Sequence, residues 1–224
     1  MTIQNSNIQF LVNNKPVSAY LASPEQGGPG VLVLHAWWGL KPFFRALCDR
    51  LAEQGFVALA PDLNEGQIAR TIEEADALLK KKDFQFTGNT VMAAKDALLG
   101  NSGVKSKKIG VMGFSMGAAF TLIAAAHAPE QVAAAVLFYG LGDADFDKIK
   151  AKVLGHFSDV DEWEPIDGVR SMEAGLKQAG VETTFYIYPG LAHWFVEDDR
   201  PEFDPDAAEL AWSRTFAFLK DTLY

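Results

Sequence analysis

Cysteine is almost absent from this sequence of 224 residues. The single cysteine, Cys48, excludes a disulfide within the chain and lies on the apolar face of a predicted helix, where we expect it to be buried. The first residues lack the basic stretch and the apolar run of a secretory signal peptide, and no apolar run is long enough to cross a bilayer. We therefore expect a cytoplasmic protein that does not enter a membrane.

Basic side chains are also fewer than acidic ones. Lysine and arginine together number 20, against 29 aspartate and glutamate residues, which gives a formal net charge of −9. Because nucleic acids and anionic membrane surfaces are bound through basic patches, this balance argues against both as partners. The sequence also has no phosphate-binding loop, no dinucleotide fingerprint and no cluster of metal ligands. We expect neither a cofactor nor a metal.

The sequence does contain short apolar runs that alternate with amphipathic stretches. Residues 8–12 and 17–22 flank a polar four-residue turn and predict a β-hairpin. From Gly30 onward the pattern predicts an α/β fold with a mostly parallel sheet of about seven to eight strands, helices on both faces and no lid domain. A single domain over residues 1–224 is expected. The later predicted strands cover 31–34, 56–60, 108–114, 132–139, 153–157 and 183–188, and the predicted helices include 43–53, 91–99, 118–126, 169–178 and 205–219, with a Thr71–Glu74 capping box before another.

The strongest local motif is Gly113-Phe114-Ser115-Met116-Gly117, which matches G-x-S-x-G. It lies between a predicted strand and a predicted helix, the setting in which this motif exposes a nucleophilic serine. Small residues on both sides of the serine let the strand and the helix approach closely, and the helix N-terminus favours negative charge. Ser115 is therefore the predicted nucleophile. The alternative is an ordinary strand-to-helix turn in which Ser115 only caps the helix.

A serine hydroxyl needs a base to accept its proton, and the chain has four histidines. His35 and His156 belong to predicted strands, and His127 ends a predicted helix. His193 instead follows the last predicted strand and a turn, in a loop at the same sheet edge as Ser115. Because loops carry chemistry more often than strand interiors do, His193 is the predicted base.

The third member of such a site is an acid that orients the histidine. In this fold the chain order is serine, acid, histidine, and the acid should follow the predicted strand 153–157. That leaves Asp159, Asp161 and Glu162. The spacing alone does not separate Asp159 from Asp161.

An acyl-transfer site also needs N–H donors for the oxyanion. The fold supplies one from the residue after the nucleophile, Met116, and another from the loop after the strand that ends at His35, where we expect Trp37 N–H. Aromatic side chains flank these positions, with core packing as the alternative for each. Four of them are predicted to line a substrate pocket: Trp38, Phe43, Trp163 and Trp194.

The chain resembles the dienelactone hydrolase family, a small lidless branch of the α/β-hydrolases. The matching segments follow the family's order from about residue 5 to the C-terminus. They are His35-Ala36-Trp37-Trp38-Gly39-Leu40, Ala60-Pro61-Asp62-Leu63, the motif around Ser115, Leu154-Gly155-His156-Phe157 with Asp161, and Tyr188-Pro189-Gly190 with His193. The resemblance implies an α/β-hydrolase fold and a triad of Ser115, Asp161 and His193, and in this way favours Asp161 over Asp159.

Three positions depart from the family's pattern. The family usually has cysteine at the position of Ser115 and, at that of Ala36, a glutamate that controls the protonation of the thiol. A serine hydroxyl titrates too high for such control, so the two changes fit together and imply a plain Ser-His-Asp mechanism. Where the family prototype binds a substrate carboxylate through arginine, this chain has Glu197, which would repel an anionic substrate. Arg200 lies nearby in sequence and offers partial compensation.

These observations predict a serine hydrolase that cleaves carboxylic ester or lactone bonds of small molecules through an acyl-enzyme. We expect it to act as a monomer or a homodimer. The alternatives are a thioesterase or peptidase on the same fold, and a catalytically silent ligand-binding module, because a fold alone does not fix a function.

Overall fold

The structure, a computed structural model, describes residues 2–224. Over this range it contains eight strands and six α-helices, with a short 3-10 helix at Phe146–Lys148. The strands are β1 (Ile3–Val12), β2 (Lys15–Pro24), β3 (Gly30–Leu34), β4 (Val57–Pro61), β5 (Ile109–Phe114), β6 (Val132–Phe138), β7 (Lys152–Ser158) and β8 (Thr183–Tyr188). The helices are α1 (Pro42–Glu53), α2 (Ile72–Lys81), α3 (Phe84–Leu99), α4 (Met116–His127), α5 (Ile166–Gln178) and α6 (Pro205–Leu223).

The strands form one sheet in the order β1-β2-β4-β3-β5-β6-β7-β8. β1 pairs antiparallel with β2, and β2 pairs antiparallel with β4. The pairs β3–β4, β6–β7 and β7–β8 are parallel. This arrangement confirms the predicted α/β architecture with its mostly parallel sheet.

Contacts along the described chain cluster into two compact units, one ending at Val111 and the other starting at Met112. The boundary falls inside β5, so that residues 109–111 belong to the first unit and residues 112–114 to the second. The single domain predicted over residues 1–224 stays a prediction.

The first unit begins with the predicted hairpin, but its turn is shorter than expected. Asn13 and Asn14 alone form the turn, and both have positive φ angles of 48° and 63°. Two-residue hairpin turns of type I′ need this conformation at both positions, and asparagine tolerates it. The predicted four-residue turn is wrong because Lys15 and Pro16 already pair with β1. Proline is accepted there because Pro16 lies outside the stretch of β2 that pairs with β4.

The core of the first unit is built from β3, β4 and α1. Every residue of β3 and β4 is buried. α1 packs against β2 and β4 and buries Phe44, Leu47 and Leu51 along the predicted apolar face. Cys48 lies on the same face and is fully buried, and this burial raises the pKa of its thiol. The structure therefore agrees with a packing role for this cysteine rather than a reactive one.

Two helix starts in the first unit follow from side-chain caps. Thr71 Oγ1 accepts the N–H of Glu74 at 3.3 Å, and the Glu74 carboxylate accepts the N–H of Arg70 at 2.7 Å. The first bond of the predicted capping box is thus confirmed, while the return bond reaches the residue before the cap. α3 begins earlier than its predicted core because Asp83 Oδ1 accepts a backbone N–H of the first turn at 2.9 Å.

The second unit has an aromatic core between its strands and α6. The rings of Phe114 and Phe138 stack with centroids 4.6 Å apart, and the Trp212 ring of α6 lies 4.9 Å from that of Phe138. α6 begins at the predicted proline, where Asp204 Oδ1 accepts the N–H of Ala207 at 2.8 Å. It continues past the predicted end at residue 219 to Leu223.

His156 lies inside β7 and is fully buried. Its Nδ1 is 2.9 Å from the Tyr188 hydroxyl, and its Nε2 is 3.0 Å from Thr215 Oγ1. Because Arg214 donates to the same tyrosine hydroxyl at 3.2 Å, that hydroxyl has its own proton available for Nδ1. Burial lowers the pKa of His156 to about 3, so the ring is neutral. Both nitrogens are engaged, as expected of a core histidine.

Candidate active site

Ser115 lies at the sharp turn between β5 and α4. Its φ of 51° and ψ of −117° are rare for a residue with a side chain, and such backbone strain is concentrated at functional sites. A Cβ atom at Gly113 would lie 2.1 Å from the carbonyl oxygen of Gly117, so the motif needs glycine there. The Ser115 N–H donates to the carbonyl of Phe138 at 2.9 Å. Within the described part of the chain, the Ser115 side chain makes no capping hydrogen bond, so the capping alternative is wrong.

Ser115, His193 and Asp161 form one hydrogen-bonded chain in the second unit. Ser115 Oγ is 3.0 Å from His193 Nε2, and His193 Nδ1 is 2.7 Å from Asp161 Oδ2. An ionised carboxylate only accepts, so Nδ1 carries the proton and Nε2 is left to accept the serine hydroxyl. The side chains of His193 and Asp161 are only 3% and 2% exposed, which shields their interaction from water. This arrangement can take a proton from Ser115.

The structure distinguishes Asp159 from Asp161, the two carboxylates between which the sequence spacing did not decide. Asp161 reaches His193 with Oδ2, while its Oδ1 accepts the N–H groups of Trp163 and Glu164 at 2.8 and 3.0 Å. Asp159 instead accepts the N–H of Gly190 at 2.6 Å. Asp159 is exposed to solvent but also holds this backbone N–H group.

One further residue beside His193, Tyr139, and its contact with Glu197 escaped the sequence reasoning. Tyr139 follows β6, has a φ of 35° and is fully buried, with its ring centroid 4.8 Å from that of His193. Its hydroxyl donates to Glu197 Oε1 at 2.7 Å. Burial, followed by the Glu197 carboxylate, raises the pKa of Tyr139 well above its usual value, so the phenol keeps its proton. An unusual φ angle is not visible in a sequence, and no local spacing links the two residues.

Glu197 is fully buried and accepts a hydrogen bond from Tyr139. A buried charge is screened less by water and salt than an exposed one. The expected repulsion of an anionic substrate by Glu197 therefore stays a prediction.

A second acidic side chain near the triad is Glu164. Burial raises its pKa, while a hydrogen bond from the Leu141 backbone and the proximity of His193 oppose that rise. Glu164 thus adds a partly buried carboxyl group to the surroundings of His193 and Asp161.

Two of the predicted pocket residues come together in the second unit. The rings of Trp163 and Trp194 lie 5.6 Å apart, and Trp194 meets the His193 ring edge-on at 4.7 Å. Trp194 is buried, whereas Trp163 is 44% exposed. The Arg200 guanidinium lies 4.7 Å from the Trp194 ring. Trp163, which reaches the histidine through Trp194, provides a partly exposed apolar surface of the kind that binds ligands.

Met116 is the first residue of α4 in the second unit, and its oxyanion role stays a prediction. The other predicted site residues belong to the first unit. Trp37 and Trp38 are buried and pack edge-to-face with ring centroids 5.4 Å apart. Phe43 is half-buried at the start of α1 and packs against Phe44 at 5.1 Å. The pocket role of Trp38 and Phe43 and the oxyanion role of Trp37 stay predictions.

The loop that carries Trp37 is fixed by hydrogen bonds within the first unit. His35 Nε2 accepts the N–H of Leu63 at 2.9 Å, so Nδ1 carries the proton and donates to the carbonyl of Ala36 at 2.6 Å. Asn64 Nδ2 donates to the carbonyl of Trp37 at 2.8 Å. Burial lowers the pKa of His35 to about 4, so this ring is neutral as well. The orientation of the loop's peptide groups is thereby set.

Over residues 2–224 no group of three or more histidine, cysteine, aspartate or glutamate side chains is arranged to hold a metal ion. No helix formed by those residues has both the length and the apolar character needed to cross a membrane.

Known proteins are similar to this chain in both sequence and fold. The sequence model of the dienelactone hydrolase family matches residues 17–223. The chain is 34% identical over 226 residues to Protein usf from Aquifex pyrophilus, with 96% of this chain and 98% of that protein covered. It is 31% identical, with the same coverage, to an Aquifex aeolicus protein that is provisionally named carboxymethylenebutenolidase. A solved structure from Klebsiella pneumoniae, provisionally described as a dienelactone hydrolase, has a TM-score of 0.86 and 27% identity and covers 98% of this chain and 99% of that one.

The match to the family extends over nearly the whole chain and agrees with the fold. It confirms the resemblance seen in the motifs and supports a hydrolase of the α/β-hydrolase fold. The chain belongs to the dienelactone hydrolase family.

Proposed function

We propose that this protein is a serine hydrolase that cleaves carboxylic ester or lactone bonds of small molecules through an acyl-enzyme. The observation that carries the proposal is the hydrogen-bonded chain from Ser115 through His193 to Asp161. The provisional name of the Aquifex aeolicus relative supports this reaction class. Because of the net charge of −9 we also propose that the protein binds neither nucleic acid nor anionic membrane surfaces. A cytoplasmic location and a monomeric or homodimeric state are proposed with it.

The reaction begins with the attack of Ser115 Oγ on the substrate carbonyl. His193 Nε2 accepts the hydroxyl proton as the bond forms, and the Asp161 carboxylate stabilises the resulting imidazolium. Met116 and Trp37 are the proposed N–H donors to the oxyanion, and removal of one such donor costs about a hundredfold or more in rate. Collapse of the intermediate breaks the bond to the alkoxide, which takes the proton from His193 and leaves as the alcohol.

The acyl-enzyme is then hydrolysed by the same residues. His193 accepts a proton from water as the water oxygen attacks the acyl carbonyl. The second intermediate breaks the bond to Ser115 Oγ, which recovers its proton from His193. Besides the substrate and this water molecule, the proposed mechanism uses only side chains and N–H groups of the protein.

The residues at positions 36 and 115 suit this serine chemistry. His193 accepts the proton of the serine hydroxyl directly. A carboxylate that controls the protonation of a thiol is therefore not needed. Ala36 is fully buried and brings no charge into its surroundings. We therefore propose that the enzyme is active without any protonation switch at position 36.

The substrate class is proposed from the aromatic side chains. The partly exposed ring of Trp163 offers an apolar surface and packs against Trp194, which meets the His193 ring. This surface suits a small ester or lactone with an aryl or other flat apolar group. From the sequence alone, Trp38 and Phe43 are proposed as further substrate contacts.

The proposal is tested with purified protein and a panel of small aryl esters, alkyl esters, lactones, thioesters and peptides. Hydrolysis of esters or lactones by the wild type, lost in Ser115→Ala, is the expected result. Turnover confined to thioesters or to peptides, or ester turnover that is unchanged in Ser115→Ala, would overturn the proposal.

A further inference from the structure

Two carboxylates that the triad does not use tie the loop of His193 to its neighbours: Asp159 lies outside the loop, and Glu197 lies at its end. The loop runs from the turn after β8 to Glu197 and has unusual backbone conformations, with φ of 75° at Gly190 and 61° at Trp194. Glycine adopts a positive φ freely, so the turn itself does not fix the direction of the loop. The position of the imidazole must therefore be set by contacts with neighbouring elements.

The first contact precedes His193. Asp159 Oδ1 accepts the N–H of Gly190 at 2.6 Å, and the N–H of Val160 donates to the carbonyl of Leu191 at 3.2 Å. Both bonds join the segment just before Asp161 to the segment just before His193. These two bonds therefore fix the positions of Asp161 and His193 relative to each other, on one side of the hydrogen bond that joins them.

The second contact follows His193. Glu197 is fully buried, its N–H donates to the carbonyl of Trp194 at 2.9 Å, and its carboxylate accepts the Tyr139 hydroxyl at 2.7 Å. The ring of Tyr139 also lies against His193. Tyr139 comes directly after Phe138, whose carbonyl accepts the N–H of Ser115. This contact therefore connects the far side of the histidine loop to the strand end that holds the nucleophile.

We propose that Asp159 and Glu197 are positioning residues that hold His193 between Ser115 and Asp161 from the two sides of its loop. The proposal rests on the proposed serine hydrolase function. Neither carboxylate touches the reacting atoms. Each restrains the imidazole through one hydrogen bond, Asp159 through Gly190 N–H and Glu197 through the Tyr139 hydroxyl.

The size of the expected effect follows from the strength of one hydrogen bond. Loss of one hydrogen bond from the positioning of a base corresponds to about a two- to tenfold change in rate. We expect Asp159→Ala and Tyr139→Phe each to lower kcat about three- to tenfold with little change in KM. The conservative variants Asp159→Asn and Glu197→Gln keep an oxygen acceptor and should stay within about twofold of the wild type.

The matched control is Asp198→Ala. Asp198 is an exposed carboxylate that directly follows the loop, next to Glu197. Its removal changes the net charge as Asp159→Ala does but removes neither contact. We expect its kcat to equal that of the wild type.

A second readout separates positioning from general stability. The proton on His193 Nδ1, held by Asp161, should give a far-downfield NMR signal in the wild type. We expect this signal to broaden or shift in Asp159→Ala and in Tyr139→Phe, and to be retained in Asp159→Asn and Asp198→Ala. Unchanged kcat and an unchanged signal in both disrupting variants, or a loss of melting temperature alone, would overturn the proposal.

The two proposals can fail separately. If the wild type hydrolyses no ester or lactone, the proposed function fails, while the NMR signal still reports whether Asp159 and Tyr139 order the imidazole. If the wild type is active but its kcat is insensitive to both variants, the positioning proposal fails and the hydrolase remains.

Discussion

The Oδ2 atom of Asp161 accepts the Nδ1–H of His193 at 2.7 Å, and this bond determines which histidine nitrogen can serve Ser115. The other oxygen of the same carboxylate accepts two backbone N–H groups, so the side chain has a defined orientation. The acid therefore acts on the nucleophile by fixing the tautomer of the base.

Asp161→Asn should inactivate the enzyme without unfolding it. The amide oxygen is expected to keep the two backbone N–H groups, which turns the amide nitrogen towards His193 Nδ1. Nδ1 must then accept and Nε2 must carry the proton, so the ring cannot take the proton of Ser115. We expect kcat to fall about a thousandfold or more, measured with an aryl ester. Asp159→Asn serves as the control, and a similar loss in that variant would contradict this assignment.

Ala36→Glu should slow the enzyme. Ala36 is fully buried and precedes Trp37, a proposed oxyanion donor. A buried carboxylate there opposes the development of negative charge in the transition state. We expect at least about a tenfold loss of kcat, and a smaller loss in Ala36→Gln, which has nearly the same size without the charge. A rate gain in Ala36→Glu would refute the account of positions 36 and 115.

Folding stability should fall in weak acid because of two buried histidines. The pKa of His35 is lowered to about 4 and that of His156 to about 3, whereas the unfolded value is about 6.5. Below pH 6.5 the two histidines bind protons in the unfolded chain but stay neutral in the folded chain. Folding stability is therefore lost as the pH falls from about 6.5 towards 4. Each histidine contributes a slope of up to about 1.4 kcal/mol per pH unit.

Urea unfolding between pH 7.5 and about 4.5 checks this slope. His156→Gln should be less stable at neutral pH but lose less stability on acidification than the wild type. His127→Gln changes an exposed histidine and should leave the slope unaltered. A wild-type slope of zero across this range would show that the two rings are not held neutral.

Trp163→Ala should weaken the binding of aryl substrates. Trp163 is 44% exposed and packs against Trp194 beside His193. Loss of its ring surface should raise KM for aryl esters about three- to tenfold and affect small alkyl esters less. Phe84→Ala removes another exposed aromatic side chain, on α3, and should change neither constant. Equal effects on aryl and alkyl esters would count against an aromatic substrate surface at Trp163.

Much of the fold follows from local patterns. Apolar strands and amphipathic helices alternate along the chain. The glycines of the motif around Ser115 permit the tight turn between β5 and α4. The position of His193 after the last strand places it at the same sheet edge. These features depend on short stretches of sequence, so their arrangement could be predicted before the structure.

Other parts depend on contacts between distant residues. Asp159 and Asp161 share one short loop, and only the approach of Gly190 and His193 determines which carboxylate meets which group. Tyr139 and Glu197 are 58 positions apart, and no periodicity connects them. The burial of Glu197 cannot be read from a polar stretch of sequence. The sequence therefore suggested only an effect of its charge on a substrate.

The central claim is that Ser115 is the nucleophile, and labelling with a fluorophosphonate tests it most directly. The reagent forms a covalent bond to an activated serine oxygen, and peptide mapping by mass spectrometry identifies the residue. We predict one adduct per chain on Ser115, none in Ser115→Ala, and much slower labelling in His193→Ala. An unlabelled but folded wild type, or an equal adduct in Ser115→Ala, would contradict the account.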